Sequence, residues 1–233
     1  MNSQGPRGID WCHWTWNPVT GCRNRCWYCY AKPLAGRFDA IHGGLPWETP
    51  SFHEARLSRE ELAQPKDGQR VFVCSMGDIF SAGVNRRWVQ LIIDAIRTRP
   101  GVSFLFLTKR PEWFQRYLWP KNAWLGTTLD TLKTQEDRAK RLKWIQSYNV
   151  KWINAAPALS GPHEDLWNWW EPDWLVAEPL HGHGLERLIE SEQHVHAWHQ
   201  WAVRHNVPCW VKGMKHWTVR CPIPHELPRF TKG

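Results

Sequence analysis

The 233-residue sequence predicts an α/β fold, an open or partial TIM-type barrel with parallel strands. Uninterrupted apolar runs such as Val71–Cys74 and Val102–Leu107 are typical of strands buried in a parallel sheet. Segments with apolar residues at helical spacing, such as Arg86–Arg99, alternate with them. Polar residues follow the ends of these runs, where the working residues of such barrels lie. Six or seven strand–helix units fit this length.

Seven strands are predicted from the apolar runs. They are Ile9–Trp16, Val71–Cys74, Val102–Leu107, Trp124–Thr128, Val150–Ala156, Trp174–Pro179 and Val207–Gly213. Asn17 and Pro18 end the first strand, and Gly21 opens the loop that follows it. The alternation with helices means that these strands should run parallel in one sheet.

Helices are predicted between the strands. They cover Cys29–Phe38, Ser58–Leu62, Arg86–Arg99, Pro111–Leu118, a segment from Asp130 or Thr131 to about Ser147, and about Glu190–His205. Ser58 with Glu61 predicts a capping box, and Asn85 is the expected cap of the helix that begins at Arg86. Since no linker or repeat interrupts the chain, we predict one domain over residues 1–233. It has an N-terminal extension over residues 1–8 and an irregular tail over about residues 218–233.

The composition favours an anionic partner. The formal net charge is +8, which makes nucleic acid the first candidate. The 19 tryptophans with interleaved Arg and Lys could stack on unpaired bases, although most should fill the core. No stretch of 18 or more apolar residues occurs, so no transmembrane helix is expected, and residues 1–8 lack the apolar run of a signal peptide. These features predict a cytoplasmic protein without a membrane partner; they do not indicate an oligomeric state.

The loop after the first strand carries three cysteines, Cys22, Cys26 and Cys29, at C-x3-C-x2-C spacing. Thiolates this close can share one metal centre, and they leave one coordination position open. A cubane iron–sulfur cluster held by three cysteines has such an open iron. A structural zinc ion is an alternative, with a fourth ligand from Cys12 or His13. A chance grouping or a disulfide is a further alternative.

Polar groups at the other strand ends should face the same pocket as the cysteine loop. These groups are Ser75–Asp78, Thr108–Arg110, Thr127 with Thr128, Asn154 and Glu178. Lys109 and Arg110 are suited to bind a carboxylate or phosphate of the substrate. The alternative for both cations is an ion pair with Asp78 or Glu178.

Several strings resemble a known family. Thr15–Cys22, the cysteine motif with aromatic Tyr28, and Leu107–Pro111 are similar to a phage-type family of unknown function in the radical S-adenosylmethionine (SAM) superfamily. Leu125–Thr128 and Val207–Lys212 fall in order where that family has similar segments. The resemblance covers most of residues 9–217 and implies a partial (β/α)6 barrel, the radical SAM fold.

The resemblance also implies cofactors. Cys22, Cys26 and Cys29 would ligate a [4Fe–4S] cluster, and Tyr28 would pack near the adenine of SAM. Gly77 and Asp78 stand where other members carry a Gly-Gly-Glu segment that holds the SAM amino group. The further cofactor-binding residues that we expect are Thr127, Thr128, Asn154 and Glu178. After the sixth strand the sequence departs from the family's Gly-Gly-Glu-Ser-Gly run and keeps only the acid, Glu178, so substrate binding is expected to differ.

The implied reaction is reductive cleavage of SAM to a 5′-deoxyadenosyl radical that abstracts hydrogen from a substrate. It needs an external electron donor such as flavodoxin or ferredoxin, and no catalytic acid or base is identified. Charge, aromatic content and the phage-type resemblance favour a nucleic-acid base as the substrate, in hypermodification or rearrangement of phage DNA. The base would be flipped out of a duplex in a bacterial or phage-infected cytoplasm. Two alternatives are a radical SAM enzyme acting on a small molecule or peptide, and a zinc-stabilised nucleic-acid-binding module without catalysis.

Overall fold

A computed structural model describes residues 1–5, 8–169, 171–214 and 226–228. The chain divides into two compact units. The first comprises Met1–Leu125 with Ser147–Asn149, and the second comprises Gly126–Gln146 with Val150–Gly233. A single domain over residues 1–233 therefore stays a prediction. Most of the tail expected at residues 218–233, including Cys221, lies outside the described residues, as do residues 6 and 7 of the N-terminal extension.

The first unit contains a mostly parallel sheet and a small antiparallel pair. Its strands are β1 (Asn2–Ser3), β2 (Trp14–Trp16), β3 (Val19–Thr20), β4 (Ser51–Phe52), β5 (Arg70–Val73), β6 (Ser103–Thr108) and the start of β7 (Ala123–Thr128). The sheet order is β1-β2-β5-β6-β7, with β1 antiparallel to β2 and with β2, β5 and β6 parallel. The pair β3–β4 stands apart from this sheet. Because β2, β5 and β6 are parallel, the loops that follow them begin at one edge.

The first unit contains several helices, and two of them begin at caps that the sequence indicates. The helices are α1 (Ala31–Arg37), α2 (Asp39–His42), α3 (Arg59–Ala63) and α4 (Arg86–Arg97), with 3₁₀ turns at Glu54–Leu57 and Pro111–Arg116. The Ser58 hydroxyl accepts from the backbone N–H of Glu61 at 3.3 Å, and Asn85 Oδ1 accepts from that of Arg87 at 2.9 Å. Both N-caps, those of α3 and α4, are confirmed, and each contributes about 1 kcal/mol. The capping box is confirmed only in its Ser58 half, because the Glu61 carboxylate accepts from the Met1 ammonium. The buried face of α4 is Val89, Ile92, Ile93 and Ile96.

The second unit repeats the strand–helix pattern. It contains the end of β7, then β8 (Lys151–Ala155), β9 (Trp174–Ala177) and β10 (Cys209–Val211), with α5 (Leu132–Lys143), α6 (Leu166–Trp169) and α7 (Leu185–Arg204). The order is β7-β8-β9-β10, and β9 pairs in parallel with both β8 and β10. Helix α7 contacts β9 and β10 and buries Val195 and Trp198 completely. No helix in the described part of the chain is long and apolar enough to span a membrane.

Several predicted boundaries were wrong. The first strand begins at Trp14 and not at Ile9, because a turn with a Cys12 N–H to Ile9 carbonyl bond precedes it. Helix α7 begins at Leu185 and not at Glu190, directly after Gly184, which has a φ of 93°. Helix α5 ends at Lys143, four residues before the predicted Ser147. The alternation of strands and helices and the parallel pairing are confirmed.

Candidate metal and cofactor site

The cysteine loop is held by backbone bonds at the carboxyl edge of β2 and β5. The Gly21 N–H donates to the Met76 carbonyl at 3.0 Å, and Gly21 forms an isolated parallel bridge with Gly77. The Cys22 N–H donates to the Trp47 carbonyl at 2.9 Å. The loop is therefore tied to the segment after β5 on one side and to the segment before β4 on the other.

Two glycines allow this close approach. Gly21 has a φ of 82°, and a Cβ there would lie 2.6 Å from His42 Cε1 and 2.9 Å from the Trp47 and Thr49 carbonyl oxygens. A Cβ on Gly77 would lie 3.0 Å from the Gly21 oxygen. The first position accepts only glycine, and the second leaves almost no space for a side chain.

A buried polar network lies under the loop. His42 Nε2 is 3.1 Å from the Pro46 carbonyl oxygen, which can only accept, so this nitrogen carries the proton. The other ring nitrogen of His42, Nδ1, lies 2.7 Å from the Thr20 hydroxyl oxygen. The same Thr20 oxygen lies 2.8 Å from His53 Nε2, so this hydroxyl joins the two histidine rings. Burial is the main cause that lowers the pKa of His53, to about 4, so its ring stays neutral near pH 7.

The three loop cysteines differ from the other thiols. All six cysteines in the described residues are free; Cys22, Cys26 and Cys29 are partly exposed, whereas Cys12, Cys74 and Cys209 are buried. Burial is the main cause that raises the pKa of Cys22, to about 12, and the nearby Asp78 carboxylate raises it further. The Asn24 backbone N–H, which donates to the Cys22 sulfur at 3.4 Å, lowers this pKa in part. Burial also raises the pKa values of Cys74, to about 12, and of Cys209. The loop cysteines are thus the accessible ones.

Asp78 ties the cysteine loop to two strand ends. Its Oδ2 accepts from the Asn24 side-chain amide at 2.8 Å and from the Lys109 backbone N–H at 3.0 Å. Its Oδ1 accepts from the Thr108 hydroxyl at 2.7 Å and from the Phe80 N–H at 2.9 Å. The residue is only 5% exposed. An ionised carboxylate offers about four lone-pair sites, and four protein donors fill them.

Next to Asp78 lie Tyr28 and the two cations that follow β6, Lys109 and Arg110, which we call the rim cations. The Lys109 ammonium donates to the Tyr28 hydroxyl and lies 5.1 Å from the centroid of that ring. The Arg110 guanidinium lies 3.8 Å from Glu112 and 4.7 Å from the Trp113 ring centroid. Lys109 also meets Asp78 through its backbone N–H, which donates to Asp78 Oδ2 at 3.0 Å.

The predicted residues of the second unit stand at the carboxyl ends of its strands. Thr127 and Thr128 end β7 and are buried. Asn154 is 6% exposed, and its Oδ1 has no hydrogen-bond partner among the residues that the structure describes. Glu178 follows β9, with the Lys212 ammonium at 3.7 Å and His181 Nε2 at 4.0 Å. An orphaned buried acceptor such as Asn154 Oδ1 is what a bound hydroxyl or amino donor would satisfy.

The geometry does not support a zinc site. In the described residues, no three His, Cys, Asp or Glu side chains gather around a point where one metal ion could sit. The fourth ligand considered for zinc, Cys12 or His13, lies at the opposite end of the sheet, because the His13 N–H donates to the Arg70 carbonyl at the start of β5. A [4Fe–4S] cluster presents a separate iron to each cysteine, so its ligands need not converge on one point. The finding that no three ligands in the described part of the chain gather around one point includes the three loop cysteines, and a cluster with a separate iron for each of them does not require such a point.

The fold is shared with a radical SAM enzyme. A solved structure of spore photoproduct lyase, a cysteine-to-serine mutant, superposes with a TM-score of 0.56 at 12% identity, over 90% of this chain and 78% of that one. This likeness concerns the fold alone. It confirms the predicted class, a mostly parallel, curled sheet with helices in the manner of a partial barrel.

The chain itself belongs to the family described as "Protein of unknown function (DUF5131)", whose model matches residues 7–221. None of the curated proteins matches the chain.

Proposed function

We propose that the protein is a radical SAM enzyme in which Cys22, Cys26 and Cys29 hold a [4Fe–4S] cluster. One observation carries the proposal: the three accessible thiols lie in a single loop, anchored at the carboxyl edge of a parallel sheet. Working residues of barrel folds stand at this edge. The fold likeness to a radical SAM enzyme agrees with it.

The chemistry that the cluster would supply is reductive cleavage of SAM to a 5′-deoxyadenosyl radical, which takes hydrogen from the substrate. The chain's own residues position the reactants. The Tyr28 ring, held by Lys109, would offer a face for the adenine, and the Asn154 acceptor would receive a donor from SAM. Thr127, Thr128 and Glu178 are the further contacts that we propose, together with the Gly77 backbone.

Asp78 is better suited to hold the loop than to bind the SAM amino group. A further donor would have to displace one of the four that its carboxylate already accepts. We therefore propose that Asp78 keeps the cysteines at the sheet edge. The alternative, which the resemblance implies, is that Asp78 binds the SAM amino group. Substitution of Asp78 distinguishes the two roles.

The substrate that we propose is a nucleic-acid base, in the DNA of a phage or its host. The net charge of +8 and the rim cations Lys109 and Arg110 support an anionic substrate. We further propose a single catalytic domain in a bacterial or phage-infected cytoplasm, where a flavodoxin or ferredoxin supplies the electron.

Anaerobic reconstitution with iron and sulfide tests the proposal. We expect a brown protein with about four irons per chain, whose visible absorption bleaches with dithionite and which forms 5′-deoxyadenosine from SAM. Cys22→Ala, Cys26→Ala and Cys29→Ala should each lose iron and this activity. Cys12→Ala is the matched control and should keep both. A colourless protein with one zinc per chain, lost in Cys12→Ala, would contradict the proposal.

A further inference from the structure

Three arginines surround one tryptophan in the first unit. The guanidinium carbons of Arg116, Arg110 and Arg86 lie 4.0, 4.7 and 5.8 Å from the ring centroid of Trp113. We refer to these four residues as the arginine cluster. The indole face attracts each cation by about 0.5–1 kcal/mol, which offsets part of their mutual repulsion.

The arginine cluster stands beside the cysteine loop. Arg110 and Trp113 follow the carboxyl end of β6, and Arg86 is the first residue of α4, which follows β5 through residues 74–85. Lys109, next to Arg110, contacts Tyr28 of the cysteine loop. The arginine cluster therefore lies at the same edge of the sheet as the cysteine loop.

Most of the positive charge in the arginine cluster is not neutralised. Arg110 has Glu112 at 3.8 Å. Within the described ranges, neither Arg86 nor Arg116 forms an ion pair with a carboxylate, and both are exposed. Three guanidiniums near one ring with one carboxylate between them leave a local excess of positive charge. An anion that bridges them would remove the remaining repulsion.

We propose that the arginine cluster binds the phosphodiester backbone of a nucleic-acid strand and delivers it to the cysteine loop. This inference rests on the proposed function and names its substrate class. Guanidinium groups match phosphate oxygens with paired hydrogen bonds, and strand-binding grooves combine such cations with aromatic rings. Trp27, within the cysteine loop, is 57% exposed and offers a face on which an unpaired base can stack. Since phosphodiesters occur in both DNA and RNA, the experiment includes both.

Fluorescence anisotropy with labelled single-stranded DNA and with RNA of the same sequence tests this binding on the reconstituted protein. Arg86→Gln and Arg116→Gln should each weaken binding about fivefold to tenfold and lower the slope of log K against log salt by about 0.7. Arg97→Gln is the matched control: it removes the same charge from the other end of α4, about 16 Å from Arg86. It should change binding less than twofold. Trp113→Phe, which keeps a weaker ring face, should give an intermediate loss.

Iron content and thermal midpoints of all variants exclude misfolding as the cause. Tighter binding of DNA than of RNA would identify the DNA strand as the ligand, and the reverse would identify RNA; either result supports the proposal. Equal losses in Arg97→Gln and Arg116→Gln, or equally tight binding of polyglutamate, would overturn it. A protein that binds strands in this way but does not cleave SAM would contradict only the proposed function. A protein that cleaves SAM but loses no binding in Arg86→Gln and Arg116→Gln would contradict only this inference.

Discussion

At the scale of single residues, Asp78 joins three segments that are distant in sequence. Its carboxylate accepts from Asn24 in the cysteine loop, from Phe80 in its own turn, and from Thr108 and Lys109 at the end of β6. A buried carboxylate is stable only when such donors replace water. These four bonds support the proposal that Asp78 helps to hold the cysteine loop in place.

Asp78→Asn should release the loop. The amide has one acceptor oxygen, and its NH2 group would face two of the four donors, so the free energy of unfolding should fall by about 2–3 kcal/mol. We expect most of the iron to be lost on gel filtration after reconstitution, measured per chain. Asp94→Asn, on the exposed face of α4, is the control and should retain iron. Full iron with a raised KM for SAM would instead show that Asp78 binds the SAM amino group.

The residues of the site were predictable where the signal is local. Cys22, Cys26 and Cys29 stand within eight consecutive residues, so their spacing alone indicates a shared centre. Asn24 was missed because it meets Asp78 across 54 positions. Of the arginine cluster, only Arg110 was predicted, because Trp113 meets Arg86 only after α4 and β6 are folded. A lone Asn or Trp in a sequence gives no sign of such a partner.

At the scale of elements, the close packing of the cysteine loop against His42 and residues 47–49 depends on Gly21. Any other residue would need a left-handed backbone and would place its Cβ within 2.9 Å of three neighbouring atoms. These neighbours include two carbonyl oxygens and the buried His42 ring, which cannot all move away. The cysteine loop and the segment that leads into β4 can therefore pack together only with glycine at position 21.

Gly21→Ala should lower the free energy of unfolding by about 3–5 kcal/mol, since backbone strain and overpacking add. Gly43→Ala is a close control: Gly43 has a φ of 70° but nothing within 4 Å of its Cβ position. It should cost only about 1–2 kcal/mol of backbone strain. Urea denaturation of both variants measures the difference. Equal losses would mean that the contacts around Gly21 give way easily.

Elements were predictable when they were long and apolar. Strands β5 and β6 were placed to within one residue because their apolar runs are continuous and buried. Strands β1, β3 and β4 have two residues each, too few to show a period. Residues 9–13 were wrongly predicted as strand, because Trp11 and Cys12 are buried in a turn. A buried turn can have the same apolar composition as a strand.

At the scale of the whole molecule, partly buried histidines link stability to pH. Burial is the leading cause that lowers the pKa values of His13, His53, His194, His199 and His205. In the unfolded chain these rings titrate near pH 6.5. Between the two pKa values, the unfolded state binds more protons than the folded state. Stability is therefore full above about pH 6.5 and is lost as the pH falls toward the folded pKa values.

His53 sets the most acidic limit of this window, because its pKa is lowered to about 4. We expect the free energy of unfolding to fall by about 1 kcal/mol from this residue alone between pH 6.5 and pH 5, a value discounted for its partial exposure. His53→Gln keeps an N–H that can donate to Thr20 and removes the titrating ring. Urea denaturation at several pH values should give a shallower acid slope for His53→Gln than for the wild-type protein. Parallel curves would show that His53 does not contribute. A protein more stable at pH 5 than at pH 7 would reverse the sign of the argument, since protonation would then favour the folded chain.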